Sequence, residues 1–139
     1  MQDFGANLFI GLGTGLVSGL VTGLYSGQIV SRKNRFDSLR SELLMHINSI
    51  GYMDDAGSVR TELGTSSKIP RVGELLLQFG HKSAARTAFS GHKLVAIALT
   101  QARAGQIDAR ALEQQLRPVV DSFIRIRPSA RLYLPWGRV

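Results

Sequence analysis

The sequence predicts an all-α protein, in which a single N-terminal transmembrane helix is followed by a small cytoplasmic antiparallel helical bundle. Three observations point there. The run from Phe4 to Ser31 holds no charged side chain, and only Asp3 precedes it. All 17 Lys and Arg lie at Arg32 or later. Beyond that boundary apolar residues recur at helical spacing in four stretches, with no convincing period-two alternation before the C-terminal tail.

The apolar run comes first. A helix crossing the hydrocarbon core needs about 20 apolar residues, and Phe4 to Val30 would extend roughly 40 Å at about 1.5 Å per residue. Asn7 and Gln28, its strongly polar side chains, sit near the two ends. Thr14, Ser18, Thr22 and Ser26 are tolerable there, because a helix lets a hydroxyl bond back to its own backbone. Direction follows from the flanks. Met1-Gln2-Asp3 carries no basic side chain, whereas Arg32, Lys33 and Arg35 follow the run, so the N-terminus is expected outside and the C-terminus inside. The same three residues are the expected topology and anionic-lipid contacts. No basic n-region or small-residue cleavage site marks a signal peptide. A nucleotide loop around Gly11, Gly13 and Gly15 is disfavoured, since Leu16 or Ser18 stands where G-x-G-x-x-G needs its third glycine.

Gly11, Gly15, Gly19, Gly23 and Gly27 recur every four residues. Residues i and i+4 share a helical face, so these glycines form a groove without side chains, flanked by the Thr/Ser row. A period longer than 3.6 suits a right-handed crossing in which two backbones approach closely. The glycine row is therefore the expected association face, for a homo-oligomer or another transmembrane helix.

Four amphipathic stretches follow. Phe36, Leu39, Leu43, Ile47 and Ile50 form a stripe that continues out of the apolar run without an intervening Pro or Gly and ends near Gly51. Asp54 to Ser58 reads as a loop, and the stretch to Lys68, mostly small or polar, as one short turn of helix or loose chain. Pro70 suits a first helical position before Val72, Leu75, Leu76 and Phe79, with Gly80 as the stop. Ala85, Ala88, His92, Val95, Leu99 and Ala102 make the third stripe, ending at Gly105, with Gly91 marking a close crossing or a break. Asp108 is placed to cap the last helix, with Ile107 and Leu112 as a hydrophobic staple. Its stripe is Leu112, Leu116, Val119, Phe123 and Ile126, and Pro118 inside it is expected to kink or split the helix. The expected division is thus an extracytoplasmic tail 1–3, a transmembrane helix 4–30, a cytoplasmic helical domain 31–127 and a basic, aromatic tail 128–139. In that tail Arg131, Tyr133, Trp136 and Arg138 are candidates for the membrane interface, where Trp and Tyr favour the headgroup layer. Packing of Tyr133 and Trp136 on the bundle is preferred, because Leu132 and Leu134 also call for burial.

Charge and motifs bound the function. The chain has a net charge of +7 and no cysteine, which excludes disulfides, thiolate metal sites and a cysteine nucleophile. His46, His81 and His92 lack metal-ligand spacing, and His92, on an apolar stripe, reads as a hydrogen-bonded core histidine. No nucleophile motif occurs, and no cofactor is implied. The sequence thus points to a non-enzymatic single-pass membrane protein that offers its basic domain to an unidentified cytoplasmic protein as a scaffold, anchor or regulatory module. The alternatives are a membrane-tethered nucleic-acid-binding protein, supported by the basic charge, and an oligomeric pore lined by the Thr/Ser row. A soluble nucleotide-binding enzyme comes last.

Overall fold

The computed structural model describes residues 3–53, 58–60 and 65–134, with side chains described for 10–50 and 67–134. Four helices dominate: α1 (Asp3–Asn48), α2 (Thr65–Gln78), α3 (Lys82–Arg103) and α4 (Ala109–Ile124). A short antiparallel hairpin of β1 (Gly51–Met53) and β2 (Ser58–Arg60), in register at Tyr52 and Val59, joins α1 to α2. The chain then closes with a 3-10 turn, Ala130–Tyr133.

α1 is one helix of 46 residues, about 69 Å long, and its two parts behave differently. Its C-terminal part buries Phe36, Leu39, Leu43 and Ile47, the predicted stripe. These meet Ile69, Val72 and Leu76 of α2, Val95 and Leu99 of α3, and Leu112, Leu116, Val119 and Phe123 of α4 in one core. Each large side chain of this set contributes about 1.5–3 kcal/mol by leaving water. α3 presents mainly small residues, Ala84, Ala85, Ala88, Gly91, Ala98 and Ala102, so both neighbours come close to its axis. Neighbouring helices run antiparallel. Gly73 lies against Ala88 and Phe89 across the α2–α3 turn, Gly91 lies against Val119 and Phe123, and Gln101 bonds Gln115 at 3.3 Å. α1 closes the ring on α4, with Arg40 at the last turn of α4 and Ile47 beside Leu112 at its start.

The helix ends follow from local chemistry. Gly80 (φ 75°) and Gly105 (φ 68°) hold the left-handed conformation that terminates α2 and α3. His81 N–H donates to Leu76 O and Gly80 N–H to Leu77 O, the paired bonds of a Schellman end, and Gln106 to Gln101 and Gly105 to Ala102 repeat it. Asp108 caps α4, its carboxylate accepting from Ala111 N at 2.8 Å. Ile107 and Leu112 both pack into the core around that cap.

Several local expectations are corrected. Pro70 does not open α2, which starts at Thr65. Pro118 does not split α4; it is exposed, and the helix runs unbroken to Ile124. The short strands β1 and β2, a pairing too short to leave a period-two signature, flank the segment read as a loop, of which Asp54 to Gly57 lie outside the described residues. Gly91 marks a close crossing rather than a break. Among the described residues, no helix is long and apolar enough to cross a membrane.

Candidate functional site

The N-terminal part of α1 is a shaft that touches little of the bundle. Ile10, Leu12, Leu16, Val17, Leu20, Val21 and Leu24 are each at least 60% exposed, and they face several directions around the helix. A Cβ added at Gly11, Gly15, Gly19, Gly23 or Gly27 would meet nothing within 4 Å. The predicted glycine groove is therefore open along its whole length. Its hydroxyl neighbours are satisfied within the helix: Thr14 Oγ1 donates to Ile10 O at 2.6 Å, Ser18 Oγ to Gly15 O at 3.1 Å, and Thr22 Oγ1 to Ser18 O at 2.7 Å. These three hydroxyls need no outside partner.

The foot of the shaft is where the chain comes together. The Tyr25 hydroxyl donates to Tyr133 O, and Arg32 Nη1 donates to Leu134 O at 3.4 Å. The segment leaving α4 thus climbs α1 toward the shaft. Leu132 anchors it, being fully buried, while Tyr133 and Leu134 stay about half exposed. Of the tail residues expected to pack on the bundle, Leu132 does so, whereas Tyr133 and Leu134 are covered only in part. Trp136 and Arg138 lie outside the described residues. Of the three basic residues after the apolar run, Arg32 holds the tail and Arg35 stacks its guanidinium 4.8 Å from the Phe79 ring centroid. Lys33 is exposed.

His81, at the turn between α2 and α3, ties these pieces to one another. Its ring meets Phe36 edge-on at 4.7 Å, and Nδ1 accepts from Ser129 N at 3.1 Å. Burial pushes its pKa below the ordinary 6.5, because an imidazolium there loses its water. With Nδ1 accepting, the proton of the neutral ring sits on Nε2. Beside it opens a cleft of about 700 Å³ lined by Lys82, Arg125, Arg127 and Arg131, with no Asp or Glu among the described residues of its wall.

Comparison with protein-family models, curated proteins and solved structures finds no match to this chain. The geometry stands on its own.

Sequence reasoning located the glycine row and the basic flank but missed the cleft. Its cations come from the start of α3, the end of α4 and the tail, so their spacing in the sequence carries no sign of convergence. His92 departs from expectation as well: it is half-buried and its Nδ1 has no partner among the described residues. Among those residues no three His, Asp or Glu gather closely enough to hold a metal ion.

Proposed function

We propose that this is a single-pass membrane protein, N-terminus outside and C-terminal domain in the cytoplasm. It associates through its glycine face and presents the basic bundle as a scaffold, anchor or regulatory module for a protein partner. The observation that carries the reading is the bare shaft. Residues 3–24 of α1, ahead of the Tyr25 contact, extend about 33 Å, close to the roughly 30 Å hydrocarbon core of a bilayer. Large apolar side chains exposed along a broad face of a helix call for a cover, and among the described residues nothing covers those from Ile10 to Leu24. Its mean hydropathy is held down by glycine and hydroxyl side chains rather than by charge, since Phe4 to Ser31 carries no ionisable acid or base apart from Tyr25. Phe4, Leu8 and Phe9 add to the apolar length ahead of Ile10.

The absence of native cysteines makes the test clean. Single cysteines at Gln2 and Thr100 are probed in intact cells with a membrane-impermeant thiol reagent. Gln2→Cys alone should label. Labelling of Thr100→Cys alone would reverse the topology, and recovery of the protein in the soluble fraction would end the membrane reading. Copurification in mild detergent then identifies the partner.

A further inference from the structure

We propose that the cleft between the α2–α3 turn and the segment leaving α4 holds the phosphate-bearing headgroup of an anionic lipid. The inference deepens the membrane reading and rests on it. Four exposed cations, Lys82, Arg125, Arg127 and Arg131, surround one concavity of about 700 Å³, and among the described residues no carboxylate contributes to its wall. Like charges gathered without a counter-charge raise a positive potential that an anion relieves. Arginine guanidinium groups match the oxygens of a phosphate in pairs, and lysine adds a point charge. The amides that open α3 add to this potential. His81 provides no side-chain cap for them, and Lys82 and Ser83 belong to the cleft wall.

Position decides which anion. The cleft sits at the end of the bundle nearest the shaft. His81 in its wall packs on Phe36, one helical turn or about 6 Å along α1 from Arg32. Arg131 leads directly to Tyr133 and Leu134, whose carbonyls are held by Tyr25 and Arg32. With the shaft in a bilayer, the cleft mouth lies beside the headgroup layer, where each cation gains about 1 kcal/mol from anionic lipid. A nucleic-acid strand would instead call for a groove tracking its backbone, whereas these cations close around a single pocket.

The test uses the full chain in a neutral detergent, with short-chain phosphatidylglycerol, short-chain phosphatidylcholine, inorganic phosphate and a short DNA duplex as separate probes. Phosphatidylglycerol should bind at least about tenfold more tightly than phosphatidylcholine, as two or more engaged cations imply. Lys82→Gln with Arg127→Gln should abolish that preference. Lys93→Gln with Arg110→Gln, which removes equal charge outside the cleft, should keep it. If the first pair fails to fold, Arg125→Gln gives the same readout from an exposed position. Equal loss in both pairs, phosphate binding as tight as phosphatidylglycerol, or preferential binding of the duplex through the cleft would each overturn the proposal. Because the lipid is offered in solution, such a failure is distinct from a failure of the shaft to fractionate with membranes.

Discussion

Arg40 of α1 reaches the last turn of α4, where its guanidinium donates to the carbonyls of both Phe123 and Ile124. At a helix end such carbonyls lack an i+4 amide, although Phe123 O also accepts from Ile126 N at 3.4 Å, and a cation there complements the negative end of the helix dipole. Arg40→Met keeps much of the side-chain packing and removes the bonds. It should cost about 1–2 kcal/mol, since the contact is only partly buried. Arg40→Lys should recover only part of that loss, because a lysine ammonium lacks the planar, pre-organised donor fork of the guanidinium. Urea unfolding of the three proteins checks the order.

Gly91 is required by the approach of α3 to α4. A Cβ there would stand 2.6 Å from two ring carbons of Phe123 and 3.0 Å from Val119 Cγ1. The Phe123 ring is fully buried and cannot swing aside. Overpacking costs about 1–3 kcal/mol against a gain of about 1 from replacing a helical glycine, so Gly91→Ala should destabilise by up to about 2 kcal/mol. Gly73→Ala is the contrast. Its Cβ would meet the edge of a half-buried Phe89 ring at 3.1 Å, a neighbour with room to yield, and stability should be unchanged or slightly raised. A double-mutant cycle of Gly91→Ala with Phe123→Leu should show favourable coupling of about 1 kcal/mol.

His81 gives the fold a pH dependence with a definite sign. Its folded pKa lies below the unfolded 6.5, so the unfolded chain binds more protons in the window beneath 6.5. The stabilisation is complete above that value and is lost as pH falls through the folded pKa. Protonation at Nδ1 also turns the acceptor for Ser129 N into a second donor. Among the described residues, the charged groups around it are Arg32 and Arg35 from α1, Lys82 from α3, and Arg125, Arg127 and Arg131 beyond α4, with no carboxylate to stabilise the cation. Thermal melts from pH 7.5 to 5 should show a falling midpoint, and His81→Gln should flatten that fall while lowering stability at pH 7.5.

Leu132 and Tyr25 hold the tail by different means, and substitutions should separate them. Leu132 is fully buried, so Leu132→Ala should cost about 2–4 kcal/mol of bundle stability. Tyr25 contributes one exposed hydrogen bond, and Tyr25→Phe should cost at most about 1 kcal/mol. Its effect should appear locally, as faster amide exchange at Leu132 and Leu134, both of which donate within the terminal turn.

The core was legible in the sequence because each of its stripes repeats at one period. Phe36 to Ile47 and Leu112 to Ile126 are buried as their spacing requires, and Gly80, Gly105 and Asp108 end or begin helices through bonds to their own neighbours. What depended on distant segments was not legible. The pairing of Arg40 with Phe123 spans 83 residues, and that of Tyr25 with Tyr133 spans 108. Pro70 and Pro118 misled for a related reason: helical propensity is local, and the packing of Ile69 and Val119 beside them outweighs it. The cleft cations converge only because the α2–α3 turn and the end of α4 meet in space.

The glycine row allows a test in which fold and association separate. A Cβ at Gly19 would meet nothing within 4 Å, so Gly19→Ile begins in open space. Bundle stability should stay within about 0.5 kcal/mol of the parent, as expected for a surface change remote from the core. Between two shafts the same side chain would hold the backbones apart and remove the close contacts that small residues permit. Crosslinking in mild detergent should therefore show the oligomer lost in Gly19→Ile and kept in Leu16→Ile, which lies off the glycine face. An oligomer unchanged by Gly19→Ile would exclude the glycine face as the contact, and loss of the oligomer in both variants would place the contact elsewhere on the shaft.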